Sequence, residues 1–329
     1  MRNVLIFLLS LFSLLCNGQS PKLFTTDKEL SSSLINQIYQ DRNGFIWIAT
    51  EDGLNRYDGA KFTIYKHEPN NEHSLAHNFV RTVFEDSKGH LLIGTYIGIQ
   101  MYDPATDNFT PLAKLEDTGE TLESNINSFI ERKNGEIWVS GNVLCKLNIK
   151  DHLLTVRKVD IAVTSPGSLF EDKKQNVWMA KGEEGVYQLT PDNQLTLHLS
   201  KDNGYVKSIC EDQRGNIYVG SIRKGLFIYD KECKTFVPVD LKEKGELPVC
   251  FLYSGIPNEL YIGTDGKGVA IYNIRTHEIS EYKFDNNYFD SGNSKIHSIL
   301  KDNSGNLWLA VYQKGVILIP ARTNSFKYI

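Results

Sequence analysis

The stretch Ile35–Tyr65, INQIYQDRNGFIWIATEDGLNRYDGAKFTIY, decides the fold because six weaker copies of it follow along the chain. It contains four short runs rich in β-branched and aromatic residues, namely INQIYQ, FIWIAT, LNRYD and KFTIY. Turns that hold Gly and Asp separate the runs, and this pattern predicts four antiparallel strands. The unit is therefore predicted to form one small sheet.

One position in the second run aligns the copies, and we call its seven occupants the anchors. All four tryptophans of the chain are anchors, and the full set is Trp47, Leu92, Trp138, Trp178, Tyr218, Tyr261 and Trp308. Successive anchors lie about 40 to 47 residues apart, the period of a four-stranded propeller blade. A ring of blades buries apolar faces that a single blade would expose. The sequence therefore predicts an all-β fold, a closed seven-bladed β-propeller of four-stranded antiparallel blades.

Two turns recur around the anchors. Before the anchor, an Asp is followed three residues later by Gly, as in Asp41 and Gly44; after it comes T-x-x-G, as in Thr50–Gly53. Blade three has Arg132 in the Asp position. An Asp accepts bonds from turn amides and Gly tolerates positive φ, so we interpret the Asp as a structural residue rather than a metal ligand or catalyst.

The first 18 residues differ from the rest of the chain. Arg2 precedes the apolar run VLIFLLSLFSLL, and small residues follow before Gln19. This pattern predicts a secretory signal peptide at residues 1–18 and a mature propeller domain at residues 19–329. Cys16 raises the alternative of a lipoprotein, but Leu15 is bulkier than the small residue that lipidation requires. The 329-residue chain shows no linker between repeats, so one domain is expected.

The composition argues against several kinds of partner, and it does not decide whether the cysteines are free thiols or form a disulfide. A formal net charge of −4 without a basic run argues against nucleic acid, and no second apolar run predicts membrane insertion of the mature chain. Cys145, Cys210, Cys233 and Cys250 show no C-x-x-C spacing, so no metal or cofactor is predicted. Buried thiols within strands are favoured, with a Cys210–Cys233 or Cys210–Cys250 disulfide as the alternative.

One face of the propeller is expected to bind a ligand. In a four-stranded blade, the loops between the second and third strands emerge on the same face as the crossovers between blades. The longest and least regular segments are these crossovers, and binding groups usually lie on such segments. They are Lys66–Asn78, Leu112–Asn125, Pro191–Tyr205, Val239–Leu247 and Lys283–Ser294.

The loops of that face supply seven candidate ligand-binding residues. They are Asp52, Tyr96, Arg223, Lys224, Lys267, Tyr312 and Lys314. The three lysines, with Arg223 beside the first, would form a basic arc suited to sulfate or carboxylate groups, or simply a solvated rim. The two tyrosines could stack on sugar rings or be ordinary exposed residues. No catalytic residue is predicted.

The first repeat supports a family resemblance. Residues 41–59, DRNGFIWIATEDGLNRYDG, closely resemble the two-component regulator propeller repeat, and the resemblance extends over about residues 22 to 329. It implies the periplasmic sensor region of a hybrid two-component system, in which a glycan breakdown product switches a cytoplasmic histidine kinase. Family members usually continue into a second propeller, a β-sandwich, a membrane helix and the kinase. This sequence shows none of these, so a truncated or stand-alone sensor module is expected.

Three functions follow from this reading. The leading one is a non-enzymatic periplasmic sensor for an oligosaccharide. The alternative is a scaffold for another protein, such as a second sensor protomer or propeller domain. A glycan-active enzyme is a remote alternative, because sialidase Asp-boxes place Asp two residues before Gly whereas Asp41 precedes Gly44 by three.

Two segments compete for the outer strand of blade seven. Lys22–Thr25, KLFTT, and Ser325–Ile329, SFKYI, both match the fourth run of the repeat. An N-terminal strand that joins C-terminal ones would latch the ring shut. We expect the N-terminal segment to take this place.

Overall fold

The computed structural model describes residues 20–199, 204–241, 247–284 and 287–321. The predicted signal peptide at residues 1–18 and the segment Ser325–Ile329 lie outside these ranges. Within them, 29 strands assemble into seven sheets. A single 3-10 turn at Ser291–Asn293 is the helical element among the described residues. The predicted all-β seven-bladed propeller is confirmed.

The first four blades follow one another along the chain after the strand β1 (Lys22–Phe24), which belongs to the last blade. Blade one contains β2 (Ile35–Gln40), β3 (Ile46–Thr50), β4 (Gly53–Tyr57) and β5 (Phe62–Tyr65). Blade two contains β6 (Val80–Glu85), β7 (Leu91–Thr95), β8 (Ile99–Asp103) and β9 (Asn108–Phe109). Blade three contains β10 (Lys114–Leu115), β11 (Ser128–Glu131), β12 (Ile137–Ser140), β13 (Leu144–Lys150) and β14 (Leu153–Lys158). Blade four contains β15 (Ser168–Glu171), β16 (Val177–Lys181), β17 (Gly185–Leu189) and β18 (Leu195–Leu199).

The last three blades repeat the same order. Blade five contains β19 (Val206–Glu211), β20 (Ile217–Ser221), β21 (Gly225–Asp230) and β22 (Thr235–Pro238). Blade six contains β23 (Val249–Ile256), β24 (Glu259–Thr264), β25 (Val269–Asn273) and β26 (Ile279–Glu281). Blade seven contains β27 (Ile296–Lys301), β28 (Leu307–Val311) and β29 (Gly315–Ile319), and β1 completes it.

Apart from β1 and β10, which lie at the outer edges of blades seven and three, the first strand of each blade is the innermost one. These inner strands contact one another in the cyclic order β2, β6, β11, β15, β19, β23, β27 and back to β2. They therefore surround a central channel, and the later strands of each blade lie progressively farther from it.

The N-terminal strand closes the ring. β1 pairs antiparallel with β29, with Lys22 opposite Leu318 and Phe24 opposite Val316. The Phe24 ring is fully buried and stacks on Trp308 at a centroid distance of 5.8 Å. This pairing confirms the expected N-terminal latch.

Blade three carries a strand that the repeat does not predict. β10 lies within the crossover Leu112–Asn125 and pairs parallel with the outer strand β14, with Leu115 opposite Val156. An outer strand otherwise presents a row of unpaired backbone groups to solvent. The crossover therefore shields part of the edge of blade three.

The anchors occupy equivalent places in the core. The buried apolar residues form seven clusters between neighbouring blades, and each cluster contains one anchor. Leu92 fills this place between blades two and three without an aromatic ring. The anchors therefore form the blade interfaces, as the alignment of the copies predicts.

In blades one, four and seven, the Asp before the anchor holds both a turn and the anchor itself. One carboxylate oxygen of Asp41 accepts hydrogen bonds at 3.0 Å from the backbone amides of Asn43 and Phe45. The other oxygen accepts one at 2.7 Å from the indole nitrogen of Trp47. The same indole bond joins Asp172 to Trp178 at 2.9 Å and Asp302 to Trp308 at 2.8 Å. This geometry confirms the structural role of the Asp.

A second repeated bond ties blades one to four, and blade seven, each to the blade that follows it in the ring. The amide that follows the Asp position donates to a side chain at the end of the next inner strand. Arg42 N donates to Glu85 at 2.7 Å, and Lys133 N donates to Glu171 at 2.7 Å. Between blades seven and one the acceptor is Gln40, at 2.7 Å from Asn303 N. The contact between blades seven and one, which closes the ring, is therefore stabilised by the same type of hydrogen bond.

All four cysteines of the described residues carry free thiols. Cys145, Cys210 and Cys250 are buried, and burial raises the pKa of Cys210 to about 12. Neither disulfide alternative is formed. The prediction of a buried strand position is wrong for Cys233, which lies exposed in the turn after β21, where its amide donates to Asp230 at 2.9 Å.

Candidate functional site

The loops between second and third strands meet the crossovers on one face of the ring, which we call the loop face. The amide of Tyr96 donates to the Phe79 carbonyl at 3.0 Å, and Tyr312 N donates to the Lys295 carbonyl at 2.9 Å. In each pair, the acceptor lies just before an inner strand of the same blade. The loop face therefore surrounds the entrance to the central channel, as the sequence predicts.

The inner strands bulge where they reach the loop face. The pairing register shifts at the second residue of β2, β6, β19, β23 and β27. A bulge leaves one residue without a ladder partner and redirects its side chain. The seven blades place equivalent residues here, and all seven line one cavity. We call this set the bulge ring, and it consists of Asn36, Arg81, Asn127, Gly167, Lys207, Cys250 and His297.

The cavity at the channel entrance has a volume of about 830 Å³. Pockets for small organic ligands range over roughly 300 to 1,000 Å³. Besides the bulge ring, its walls include Ser168, the blade-four loop 181–184 and the rings of Tyr205 and Phe251. We call this space the channel cavity.

A hydrogen-bonded chain fixes one side of the bulge ring. Asn36 Nδ2 donates to the Val80 carbonyl at 2.7 Å, and Arg81 Nη1 donates to Asn127 Oδ1 at 3.2 Å. Asn127 Nδ2 in turn donates to the Pro166 carbonyl at 3.1 Å. Polar side chains of blades one to three are therefore held in position before any ligand arrives.

Some charged side chains of the cavity wall form ion pairs and others do not. Glu184 pairs with Lys181 at 2.8 Å, and Glu183 pairs with Arg223 at 3.2 Å. Among the described residues, no carboxylate lies within ion-pair distance of Arg81 or Lys207. The channel cavity therefore contains two cations that lack an anionic partner in the described part of the chain.

The histidine of the bulge ring is neutral at physiological pH. Burial, and after it the positive charge of Lys207, lowers the pKa of His297 to about 4. Its ring lies 5.0 Å from the ring of Tyr312, centroid to centroid. His297 can thus accept or donate a hydrogen bond in the cavity without adding charge.

The two tyrosines predicted to bind a ligand lie next to the channel cavity. Tyr312 is 37% exposed and packs on His297. Tyr96 is 53% exposed, and its ring lies 6.0 Å from that of Phe79. The Arg81 guanidinium in turn lies 5.4 Å from the Phe79 ring centroid. Each tyrosine is therefore at most one side chain removed from the bulge ring.

Asp52 has structural contacts on the loop face. Its carboxylate pairs with Lys66 Nζ at 2.6 Å and accepts a bond from Asn78 Nδ2 at 3.0 Å. These contacts join the blade-one loop to the crossover that follows it. The predicted role of Asp52 in binding stays a prediction.

The predicted basic arc lies outside the cavity wall. Lys224, Lys267 and Lys314 are exposed residues of their loops, and Arg223 is also exposed. Lys267 borders a separate cavity of about 240 Å³. The channel cavity is lined instead by the bulge ring and the blade-four loop, as far as the described residues show. Ligand binding by the arc stays a prediction.

The sequence contained an unused signal for the bulge ring. When the copies are aligned, the bulge-ring position is polar in five blades, as Asn36, Arg81, Asn127, Lys207 and His297. A polar residue that recurs at one place in an inner strand indicates a position that faces water or a ligand. The candidate residues were instead predicted on the loops, because binding residues usually lie there.

Two searches of the described residues gave negative results. No group of three or more His, Cys, Asp or Glu side chains is placed to hold a metal ion. No helix there is long and apolar enough to span a bilayer.

Comparison with known proteins identifies the repeat. The family model of the two-component regulator propeller matches residues 29–52, 74–96 and 200–223. Histidine kinase P4 of Formosa agariphila is 39% identical over 83 residues, which cover 23% of this chain and 6% of that protein. Residues 29–52, 74–96 and 200–223 therefore match the two-component regulator propeller repeat, and the resemblance seen in the sequence is confirmed for these segments.

Solved structures share the fold. The extracellular domain of a protein assigned as a hybrid two-component system of B. thetaiotaomicron matches with a TM-score of 0.78 and 20% identity. That match covers 92% of this chain and 42% of the other, so this chain spans less than half of that domain. Virginiamycin B lyase from Staphylococcus aureus also matches, with a TM-score of 0.68, 13% identity, and coverage of 91% and 99%. An extracellular domain of a two-component system and an enzyme thus share this architecture.

Proposed function

We propose that this propeller is a sensor module of a two-component signalling system that acts in the periplasm and binds an oligosaccharide from polysaccharide breakdown. The single observation that carries the proposal is the channel cavity of about 830 Å³, where each of the seven blades contributes one residue to the bulge ring and five of these residues are polar. The matches to the two-component regulator propeller repeat support the signalling context.

The chemistry of the cavity suits a sugar. Tyr205 lines it and is 42% exposed, so its face is available to stack on a pyranose ring. Tyr312 stands beside His297 at the edge of the same cavity. Asn36 and Asn127 contribute amide groups, which both donate to and accept from hydroxyls. Apolar ring faces and polar amides in one cavity match the two surfaces of a sugar.

Binding without turnover fits the charges of the wall. General acid and base catalysis needs a carboxyl group or a similar side chain that is free to exchange a proton with the substrate. Glu183 and Glu184 line the cavity, and each is held in an ion pair. We propose recognition as the function and assign no catalytic residue; the neutral His297 of the same cavity is treated as a hydrogen-bonding group.

A thermal shift experiment tests this proposal. The purified protein would be heated alone and with a panel of neutral and acidic di- and trisaccharides from plant and algal polysaccharides. A ligand that binds only the folded state raises the melting temperature in proportion to its occupancy. Tyr205→Ala and Tyr312→Ala should weaken binding roughly tenfold, which is about 1.4 kcal/mol. Leu197→Ala, on the outer strand of blade four, is the control and should bind normally.

Two results of this experiment would contradict the proposal. If no saccharide of the panel shifts the melting temperature or gives heat in calorimetry, the channel cavity is not an oligosaccharide site. If a saccharide binds but both tyrosine variants bind it as well as the unchanged protein, the ligand lies elsewhere on the propeller.

One observation favours a second candidate, a scaffold for another protein such as a sensor protomer or propeller domain. A cavity of about 910 Å³ on the outer flank of blades two and three is lined by Ile97, Pro111, Leu112 and Leu153. Leu153 is 68% exposed, and exposed apolar surface often marks a protein contact. Co-purification of a specific partner that Leu153→Asp abolishes, without any saccharide affinity, would favour this candidate.

A further inference from the structure

The bulge ring is positively charged and contains no carboxylate. Its charged members are Arg81 in blade two and Lys207 in blade five, and its histidine is neutral. The acidic residues of the cavity wall, Glu183 and Glu184, are already held by Arg223 and Lys181. The two unpaired cations therefore dominate the local potential at the channel entrance.

Arg81 is held in a fixed orientation. The face of Phe79 lies 5.4 Å from its guanidinium carbon, and Asn127 Oδ1 accepts from Nη1 at 3.2 Å. These contacts leave the Nε edge of the guanidinium unused. Arg81 Nε is buried yet has no hydrogen-bond partner among the residues that the structure describes. A guanidinium edge that is positioned but unpaired is suited to an oxyanion, because it presents two N–H groups in a planar fork.

A second unpaired group lies in the same cavity. Ser168 Oγ, in blade four, is also buried and lacks a partner within the described part of the chain. Buried polar atoms are nearly always hydrogen-bonded in folded proteins, so an orphan is evidence for an absent ligand or water. Three residues of the same cavity thus carry unused groups: Arg81 and Ser168 each have an orphaned donor, and Lys207 is a second cation without an anionic partner among the described residues. They lie in an arc of four blades, with Arg81 in blade two, Ser168 in blade four and Lys207 in blade five.

We infer that the channel cavity binds an oxyanion of the ligand, a sugar carboxylate or sulfate, with Arg81 as its main contact and Ser168 and Lys207 as supporting ones. This inference rests on the proposed function and narrows it to acidic oligosaccharides. It assigns the anion to the bulge ring rather than to the exposed lysines of the loop face. The carboxylate and the sulfate offer the same chemistry to Arg81, so experiment must distinguish them.

Calorimetry with matched disaccharides tests the inference. The probes are a disaccharide with a uronate, one with a 6-sulfate, and the neutral disaccharide of the same linkage, each titrated into the purified protein. Inorganic sulfate at low ionic strength is a fourth probe that needs no sugar contact. The variants are Arg81→Gln, Arg81→Lys and Lys207→Gln. The control is Lys88→Gln, an exposed lysine in the first hairpin of blade two.

The expected result is a preference for one acidic probe over the neutral one. Arg81→Gln should weaken that acidic probe by roughly ten- to a hundredfold, the usual effect of losing a charged hydrogen bond, and leave the neutral probe within about twofold. Arg81→Lys should restore only part of the loss, because lysine lacks the planar fork. Lys207→Gln should have a smaller effect that added salt removes, and Lys88→Gln should have none.

Failure of this inference can be told apart from failure of the proposed function. If neutral and acidic probes bind equally and Arg81→Gln changes neither while the variant melts normally, the anion site is overturned and sugar binding stands. If no disaccharide binds, the oligosaccharide proposal fails and inorganic sulfate decides: binding that Arg81→Gln weakens at least tenfold supports the anion site. Absent or unaffected sulfate binding overturns it.

Discussion

The indole nitrogen of Trp47 donates a 2.7 Å hydrogen bond to Asp41, six residues earlier in the chain. Because the other oxygen of Asp41 closes the preceding turn, one carboxylate links the hairpin to the core between blades one and two. The pair explains why the Asp and the aromatic residue recur together in the sequence.

Replacing Asp41 with alanine should destabilise the propeller strongly. The change leaves a buried indole N–H and two turn amides without acceptors, which should lower the free energy of unfolding by about 2 to 4 kcal/mol. Denaturant unfolding followed by tryptophan fluorescence measures it. Asp58→Ala is the control, since Asp58 also caps a turn but is exposed and bonds no anchor. Equal losses in the two variants would show that the indole bond contributes nothing.

Gly315→Ala should weaken the latch. A Cβ at Gly315, where φ is +111°, would overlap the carbonyl oxygen of Phe24 in β1. Gly305→Ala is a matched control in the same blade, because its φ of +84° imposes a similar backbone strain but its Cβ would lie 3.4 Å from Ala321.

The two glycine variants should therefore differ in stability by about 1 to 3 kcal/mol, the usual effect of overpacking. Limited proteolysis followed by mass spectrometry should show faster cleavage near β1 in Gly315→Ala. Identical stability and cleavage in both variants would mean that β1 does not depend on close approach to Gly315.

The stability of the protein should depend on pH through His297. Its pKa is lowered from 6.5 to about 4 by burial and by Lys207, with Lys295 acting in the same direction and Asp265 opposing it. Between these pH values the unfolded chain binds a proton here that the folded chain does not. The free energy of unfolding must therefore fall as pH falls from about 6.5 to about 4.

His297→Gln removes this group. As pH falls from about 6.5 to about 4, the unchanged protein should lose free energy of unfolding that the variant does not lose. The difference should be on the order of 2 kcal/mol. Urea unfolding at several pH values between 7 and 4 measures it. Parallel stability curves for the two proteins would contradict the burial of a neutral imidazole.

A thiol reagent should modify one cysteine of the native protein. Cys233 is exposed in its turn, whereas Cys145, Cys210 and Cys250 are buried. Burial raises the pKa of Cys145 to about 11, so little reactive thiolate forms there near neutral pH. Maleimide labelling read by mass spectrometry should modify one of these four cysteines in the native protein and all four of them after denaturation. Rapid native labelling of Cys210 would show that blades five and six open readily.

The blades could be predicted from the sequence because each anchor marks a position that is buried in the folded protein. A large aromatic residue that recurs with the period of a blade, such as Trp178, has one favourable place, between two sheets. The Asp at position 172 was predictable as a turn residue, since turn chemistry depends on a few neighbouring residues. Its bond to the Trp178 indole depends on three-dimensional proximity and was not apparent.

The candidate site was only partly predictable. The choice of the loop face followed from strand order, and Tyr312 lies beside the channel cavity there. The bulge at Arg81 could not be seen, because a register shift depends on how β6 pairs with β7. Side chains such as Lys224 were expected to converge, but the direction of a loop side chain depends on packing that a repeat pattern does not contain.

The pairing of β1 with β29 has a consequence for how the chain matures. β1 is made among the first residues of the domain, yet its partner strand in blade seven is among the last. Contacts between distant parts of a chain form slowly because a long loop must close first. Until blade seven emerges from the ribosome or translocon, Phe24 has no stacking surface on Trp308. Circularisation should thus be the final kinetic step of biogenesis, and the open ring before it is the form most exposed to chaperones and proteases.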